Sequence, residues 1–368
     1  MTSEVAQVSA TQSAARPVRS ASPTMKDVSR LAGVSQSTVS RVLSGTYSAI
    51  PIALETRERV QRAAEALKYR PHPLARGLRG AGTALLGLIV REITDPFFTA
   101  MLNVIALEAR RRGYNLVLGD ARSSAQEAQA LTQVLEVRHC EAILLVGDLL
   151  DEPRLLADLT GTDLPMVALC QGTRAPGLST INADSERGAW LALEHLYSLG
   201  HRRIALLDAG WIGDVEPRRS AYRRFVHEHG LGQNCPPAYQ QVVPSDPAGG
   251  RAACARLLAL PEPPTAIFAT TDVLAIGALN GADAAGFRVP GDLSVVGFDD
   301  ILFAAYTVPA LTTVRQPIEA MARLAIEIAL RRAADPGAQP ETHWLEPELV
   351  VRDSTARPSD GKEATQPH

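Results

Sequence analysis

Four short apolar runs, LLGLIV (85–90), NLVLG (115–119), AILLVG (142–147) and MVAL (166–169), are separated by longer stretches of helical spacing at about 97–112, 126–136 and 152–159. Continuously apolar strands are buried on both faces, and alternating them with amphipathic helices specifies a parallel sheet covered on both sides. The pattern then repeats, with STIN (179–182), IALLD (204–208), AIFAT (266–270) and SVVGFD (294–299) interleaved with helical stretches near 184–199, 218–229, 249–258 and 271–286. A final helix is expected from Ile318 to Arg332. The chain is therefore constrained to two open α/β lobes of similar size. In open α/β sheets ligands bind beyond the carboxyl ends of the strands. Asp95, Pro96, Phe97 and Phe98, Asp208, and the pair Asp299 and Asp300 fall at such ends. Each aspartate there could equally cap the helix that follows it.

Ahead of the lobes stands a different kind of sequence, TMKDVSRLAGVSQSTVSRVL, from Thr24 to Leu43. Thr24 can cap a first helix, with Asp27 placed to complete a capping box. Val28, Leu31 and Ala32 give that helix an apolar face, and Gly33 supplies the residue tolerant of positive φ at its end. Ser35 is the natural cap of a second helix whose inner face is Val39, Val42 and Leu43. Gln36, Ser37, Ser40 and Arg41 point outward, with Thr38 at the edge. Such a face carries hydrogen-bonding groups, no acid and no large apolar side chain. A helical pair of this kind is suited to a DNA major groove, although a hairpin whose polar face merely meets water would read similarly.

Charge separates these readings. The net charge of −3 divides unevenly: residues 24–82 hold ten basic and four acidic side chains, a net +6, whereas 83–368 hold 25 basic against 35 acidic. A basic head on an acidic body is the footprint of a polyanion-binding module. A third helix, from about Leu54 to Tyr69, would close a three-helix core through Val60, Ala63, Ala64 and Leu67. The segment from Pro71 to Thr83 is too short to be a stable isolated helix. It is either a linker or ordered only against a partner. Residues 1–23 and 354–368 read as disordered tails.

Other function classes lack their signatures. No apolar run approaches the ~18 residues of a membrane span, and no secretory h-region is present. Cys140, Cys170, Cys235 and Cys254 are scattered without metal-ligand spacing and suit a reducing cytoplasm. There is no phosphate-binding glycine loop and no nucleophile elbow. Asp299 and Asp300 make a poor acid/base pair because adjacent strand residues point to opposite faces. No enzyme, metal or cofactor is expected.

The motifs D-V-S-R-L-A-G-V-S-Q-S-T-V-S-R-V-L (27–43), A-L-K-Y-R-P-H-P-L-A-R-G-L-R (66–79), D-P-F-F (95–98), H-L-Y-S-L-G-H-R-R-I-A (195–205), L-S-V-V-G-F-D-D (293–300) and L-T-T-V-R-Q-P (311–317), in this order, resemble the lac repressor family (LacI/GalR) of bacterial transcriptional regulators. The resemblance covers roughly residues 24–353. It implies an N-terminal all-α helix-turn-helix headpiece (24–70) and a hinge helix (71–82). These join a two-lobed α/β, periplasmic-binding-protein-like core with parallel sheets (83–353). The N-lobe would comprise about 83–181 and 318–342, and the C-lobe about 182–314 and 343–353. It further implies a cytoplasmic homodimer on a near-palindromic double-stranded DNA operator, acting as a repressor under the control of a small-molecule effector.

Carried over by position, Gln36, Ser37 and Arg41 match base-reading residues, and Thr24, Ser35, Thr38 and Ser40 match residues that grip phosphates. Arginine suits guanine and glutamine suits adenine. Ala75 and Leu78 match hinge residues that enter the minor groove. In the core, the matches to effector-binding positions are Asp95, Phe97, Phe98, Cys170, Arg218, Thr271, Asp299 and Gln316. A carboxylate beside an arginine fork suits a sugar or sugar derivative, and Arg218 would also suit a carboxylate or phosphate.

Some positions depart from the family pattern. The loop after Leu43 is lengthened and contains Pro51, Ala53 stands where a serine cap is usual, and Ser44 replaces an asparagine. Gly77 weakens the hinge helix by ~1 kcal/mol relative to alanine. Ala221, Thr271 and Cys170 replace the common glycine, asparagine and aspartate, which leaves the effector unnamed. Two other functions fit the lobes alone: a solute-binding protein serving transport, and an enzyme acting on the sugar. The absent signal peptide and basic head oppose the first, and the absent acid/base pair opposes the second.

Overall fold

The computed structural model describes residues 23–44, 52–69 and 82–359, apart from 123, 138, 149–163, 171–176, 211–212, 214 and 336. Ala75 and Leu78, the long loop, the helix expected at 152–159 and the first 22 residues lie outside the described residues. Two compact units divide between Ala81 and Gly82.

The first unit is a bundle of α1 (Met25–Ala32), α2 (Gln36–Ser44) and α3 (Leu54–Ala66). The capping box forms at α1: the Asp27 amide donates to Thr24 Oγ1 at 3.4 Å and the Thr24 amide donates to Asp27 Oδ2 at 2.9 Å. Gly33 closes α1 at φ +63°, where a side chain would be strained. Val28, Ala32, Val39, Val60, Ala63 and Ala64 are buried together, with Met25, Val42, Leu43 and Leu67 packed against them. Leu31, expected in this core, is 57% exposed. At about 100° per residue the buried arc of α1 centres on Met25, Val28 and Ala32, and Leu31 falls beyond its edge. Ala53 makes no side-chain cap for α3.

The second unit holds two six-stranded sheets built on one topology. The first consists of β1 (Leu85–Val90), β2 (Asn115–Asp120), β3 (Ala142–Val146), β4 (Met166–Leu169), β5 (Leu178–Ala183) and β11 (Thr342–Leu345). Its order is β11-β5-β4-β3-β1-β2, and every pairing is parallel. The second sheet consists of β6 (Ile204–Asp208), β7 (Gln240–Val242), β8 (Ala266–Ala269), β9 (Ser294–Asp299), β10 (Thr312–Arg315) and β12 (Glu348–Val350). Its order is β12-β10-β9-β8-β6-β7, parallel except where β12 joins β10. The order reverses beside β1 in one sheet and beside β6 in the other. Those reversal points are where open α/β sheets leave a crevice.

Seven helices connect or cover these strands among the described residues. They are α4 (Pro96–Arg111), α5 (Ala125–Val137), α6 (Ser185–Ser198), α7 (Glu216–Glu228), α8 (Pro247–Leu258), α9 (Asp272–Ala284) and α10 (Ile318–Ala334). The chain passes between lobes from β5 to α6, from β10 to α10, which packs on α4 and β3–β5, and from β11 to β12.

The sheets group two strands differently from the repeating pattern of the sequence. β5 closes the first sheet instead of opening the second, because it pairs with β4 from Met166↔Leu178 onward. β11 also belongs to the first sheet, through Thr342↔Thr180, so the last crossing lies between Leu345 and Glu348. Residues 354–356, the start of the tail expected to be loose, are pinned. Ser354 is fully buried, its hydroxyl donating to the Val295 carbonyl at 2.5 Å and accepting from the Thr312 amide at 2.8 Å. Their polar sequence completes the hydrogen bonding of β9 and β10 instead of meeting water.

Candidate functional site

On α2 the first turn is a cluster of hydroxyls. Ser35 Oγ accepts from the Thr38 amide at 3.1 Å, capping the helix, and lies 2.7 Å from Ser37 Oγ and 2.8 Å from Thr38 Oγ1. Ser35, Gln36 and Ser37 are exposed; Thr38, Ser40 and Arg41 are half-buried. The polar stripe starts at a helix N-terminus, where amides and dipole favour a phosphate. Thr24 is exposed at the corresponding end of α1, with its side chain engaged by Asp27.

In the core the most buried polar cluster gathers at the carboxyl ends of β8 and β9. Arg218, on α7, is 1% exposed. Its Nη1 donates to the Thr270 carbonyl at 2.6 Å and reaches Asp299 Oδ1 at 3.4 Å, while Nε donates to Ser185 Oγ at 3.4 Å. The guanidinium carbon lies 3.7 Å from the centroid of the Phe298 ring. Asp299 Oδ1 also accepts from Gln316 Nε2 at 2.8 Å. Asp299 and Asp300 hold φ of +119° and +52°. Such backbone costs on the order of 1–3 kcal/mol per residue outside glycine and persists only where surroundings impose it. The two neighbours face different partners: Asp300 pairs with Arg315 and Arg352, both at 2.6 Å.

Behind this turn sits Asp272, the first residue of α9 and fully buried. Burial first, and then the charge of Asp299, push its carboxyl well above the ordinary range. Thr271 caps α9, its hydroxyl accepting from the Leu274 amide at 3.4 Å.

In the first lobe, Asp95 caps α4 by accepting from the Phe97 amide at 2.9 Å. Phe97 and Phe98 meet edge to face at 5.4 Å and are 4% and 1% exposed. Phe98 closes on Gly147, where a Cβ would approach its ring to 2.9 Å. Cys170, at the end of β4, is buried with φ +58°. Asp208 anchors α7 through a buried pairing with Arg219, whose Nη2 also donates to the Gly210 carbonyl at 2.6 Å.

Thus the structure brings Arg218, Asp299 and Gln316 together on the second lobe, while Asp95, Phe97, Phe98 and Cys170 line strand ends of the first. Sequence reasoning missed Ser185, Thr270, Phe298 and Asp272 as their supports. The signal was slight: Ser185 and Thr270 reach Arg218 across 33 and 52 positions, Thr270 through a backbone carbonyl alone, Asp272 reaches Ile301 across 29, and nothing in the motif around Phe298 marks its contact with Arg218. Among the described residues, no group of three His, Cys, Asp or Glu side chains could hold a metal ion.

The family model for bacterial regulatory proteins of the lacI family matches residues 24–72, and that for a periplasmic binding protein-like domain matches 193–355. The HTH-type transcriptional regulator GalR of Salmonella typhimurium (strain SL1344) is 36% identical over 345 residues, covering 92% of this chain and 97% of that protein. The chain belongs to the lacI family. This regulator is a DNA-binding transcription factor with a helix-turn-helix head and a two-lobed core. A structure of the lac repressor dimer bound to operator and the anti-inducer ONPF shares its fold, with a TM-score of 0.80 at 24% identity, covering 91% of this chain and 99% of that one. The transcriptional regulator CelR in complex with cellobiose aligns with a TM-score of 0.65 at 30% identity, covering 90% and 99%. No described helix of the regulator is long and apolar enough to cross a membrane.

Proposed function

We propose that the regulator is a cytoplasmic repressor that binds a near-palindromic operator as a homodimer, with a sugar or sugar derivative held between its lobes setting its operator affinity. The observation that carries the effector reading is the buried trio Arg218, Asp299 and Gln316 at the carboxyl ends of the second sheet. Arg218 already has a carboxylate 3.4 Å away, so a second anion would gain less there than a neutral polyol. Hydroxyls can donate to Asp299 and accept from Arg218 and Gln316 at once. Thr271, Cys170, Asp95, Phe97 and Phe98 complete the proposed contacts. The site binds without turnover in this reading.

On DNA, Gln36, Ser37 and Arg41 read base edges, Thr24, Ser35, Thr38 and Ser40 grip phosphates, and Ala75 and Leu78 enter the minor groove. The net charge of +6 over residues 24–82 supports the polyanion partner. A second copy is supported by an apolar patch on the second lobe, where Leu302, Phe303, Tyr306 and Val308 are 70, 59, 76 and 96% exposed. Control is a population shift: the effector favours one setting of the lobes, a coupling of typically ~1–3 kcal/mol. A thermal-shift screen of sugars on the full chain tests the effector class. Stabilisation by a neutral sugar is expected, and stabilisation by organic acids or sugar phosphates alone would replace that class.

A further inference from the structure

Asp299 presents its carboxylate to Arg218 and Gln316 from a backbone at φ +119°, followed by Asp300 at +52°. Two consecutive non-glycine residues in that region relax unless something holds the turn. Two clamps do so. On the outer side Arg315 and Arg352 bracket Asp300, but the Arg315 side chain is 47% exposed, and solvent weakens its hold. On the inner side stands Asp272, with no exposure at all. Its Oδ2 accepts from the amide of Ile301, the residue directly after the pair, at 2.9 Å. Its Oδ1 accepts from Thr313 Oγ1, on the neighbouring strand β10, at 2.5 Å. Gly297 leaves room for that oxygen, since a Cβ there would stand 2.2 Å from it.

We propose that Asp272 is a positioning residue for ligand binding, pinning Ile301 and β10 so that Asp299 is held in its binding conformation. This inference rests on the reading of Arg218, Asp299 and Gln316 as the effector site. Without the inner clamp, the buried Ile301 amide would lose its acceptor, and the turn would relax toward ordinary backbone angles. An asparagine at 272 reproduces both bonds, its carbonyl accepting from Ile301 and its amide donating to the Thr313 hydroxyl. The neutral amide is also compatible with a site where burial disfavours a charged carboxylate.

The test uses the full-length protein and the variants Asp272→Ala, Asp272→Asn, Thr313→Val and Asp299→Ala, with cellobiose, D-ribose and D-galactose as probes in thermal-shift and calorimetric titrations. Asp272→Ala is expected to weaken binding of a responding sugar by at least ~10-fold, while Asp272→Asn stays within ~3-fold of the parent. Operator affinity without sugar should be unchanged in both. Should Asp272→Ala fail to fold, Thr313→Val, which deletes one of the two bonds, should weaken sugar binding by ~3-fold or more. Crystal structures of the parent and a folded variant decide independently of any sugar: Asp299 should leave its positive-φ conformation and release Gln316. Parent-like sugar affinity in Asp272→Ala, or an unmoved Asp299 in its crystal structure, would overturn the positioning role. Sugar binding retained by Asp299→Ala would instead overturn the site reading, and this inference with it.

Discussion

Arg218 sits over Phe298, 3.7 Å from guanidinium carbon to ring centroid, and donates to the Thr270 carbonyl at 2.6 Å. A cation with 1% exposure is costly to desolvate, and the aromatic face, carbonyl and Asp299 together offset that cost. The arginine is thereby fixed by three neighbouring segments before any ligand arrives.

Replacing Phe298 with leucine keeps an apolar side chain but removes the aromatic face. Phe298→Leu is expected to destabilise the core by about 1–3 kcal/mol through lost packing and lost cation–π contact. Urea unfolding followed by fluorescence measures this; a change under about 0.5 kcal/mol would show that the ring does not hold Arg218.

Arg41 lies half-buried on the polar stripe of α2. Arg41→Ala should lose about 1–3 kcal/mol of discrimination between operator and scrambled DNA, with little change in non-specific affinity. Fluorescence anisotropy on both duplexes reads the two separately. Equal loss on both would make Arg41 a phosphate contact and not a base reader.

The repeated apolar runs made β1, β4, β6 and β9 legible to the residue, because each is buried on both faces and little else can be. β7, β11 and β12 are short edge strands of mixed polarity with half-exposed patterns, and carried no such signal. Nor does an apolar run declare its sheet: β5 looks like its successors but pairs with its predecessor. The aspartate and arginine of the candidate site were legible through the family motif. Their supports were not, since Ser185 and Thr270 reach Arg218 across 33 and 52 positions, and Asp272 reaches Ile301 across 29. Local pattern cannot encode such approaches.

Ser354 shows the converse, a polar segment that reads as loose yet is built in. Ser354→Ala should cost about 1–3 kcal/mol, because the Thr312 amide and Val295 carbonyl lose a buried partner. Hydrogen exchange at the Thr312 amide should accelerate with it. Parent-like stability and exchange would place this segment outside the folded core.

His201 links the same segment to pH. Its Nε2 lies 2.9 Å from the Ala356 carbonyl, which can only accept, so this nitrogen carries the proton; Nδ1 lies 2.9 Å from Thr265 Oγ1. Burial pulls the His201 pKa below its ordinary value, and His195 is lowered for the same reason. A histidine lowered on folding is protonated more readily in the unfolded chain. Its contribution is complete above the unfolded value of about 6.5 and is lost as pH falls through that value toward the folded one. The melting temperature should therefore fall between pH 7.5 and 5.5, and less steeply in His201→Gln. An NMR titration placing the His201 pKa above that of a histidine in unfolded peptide would reverse the sign.

The central claim is that a ligand held by Arg218 and Asp299 sets the grip of the headpieces on DNA. Operator affinity of the full-length protein, measured with and without a sugar that stabilises it, tests this directly when repeated on Asp299→Ala. The parent should change affinity by about 5–150-fold on adding the sugar, whereas Asp299→Ala should bind operator as the sugar-free parent does and ignore the sugar. A variant that still responds to the sugar like the parent would contradict the claim.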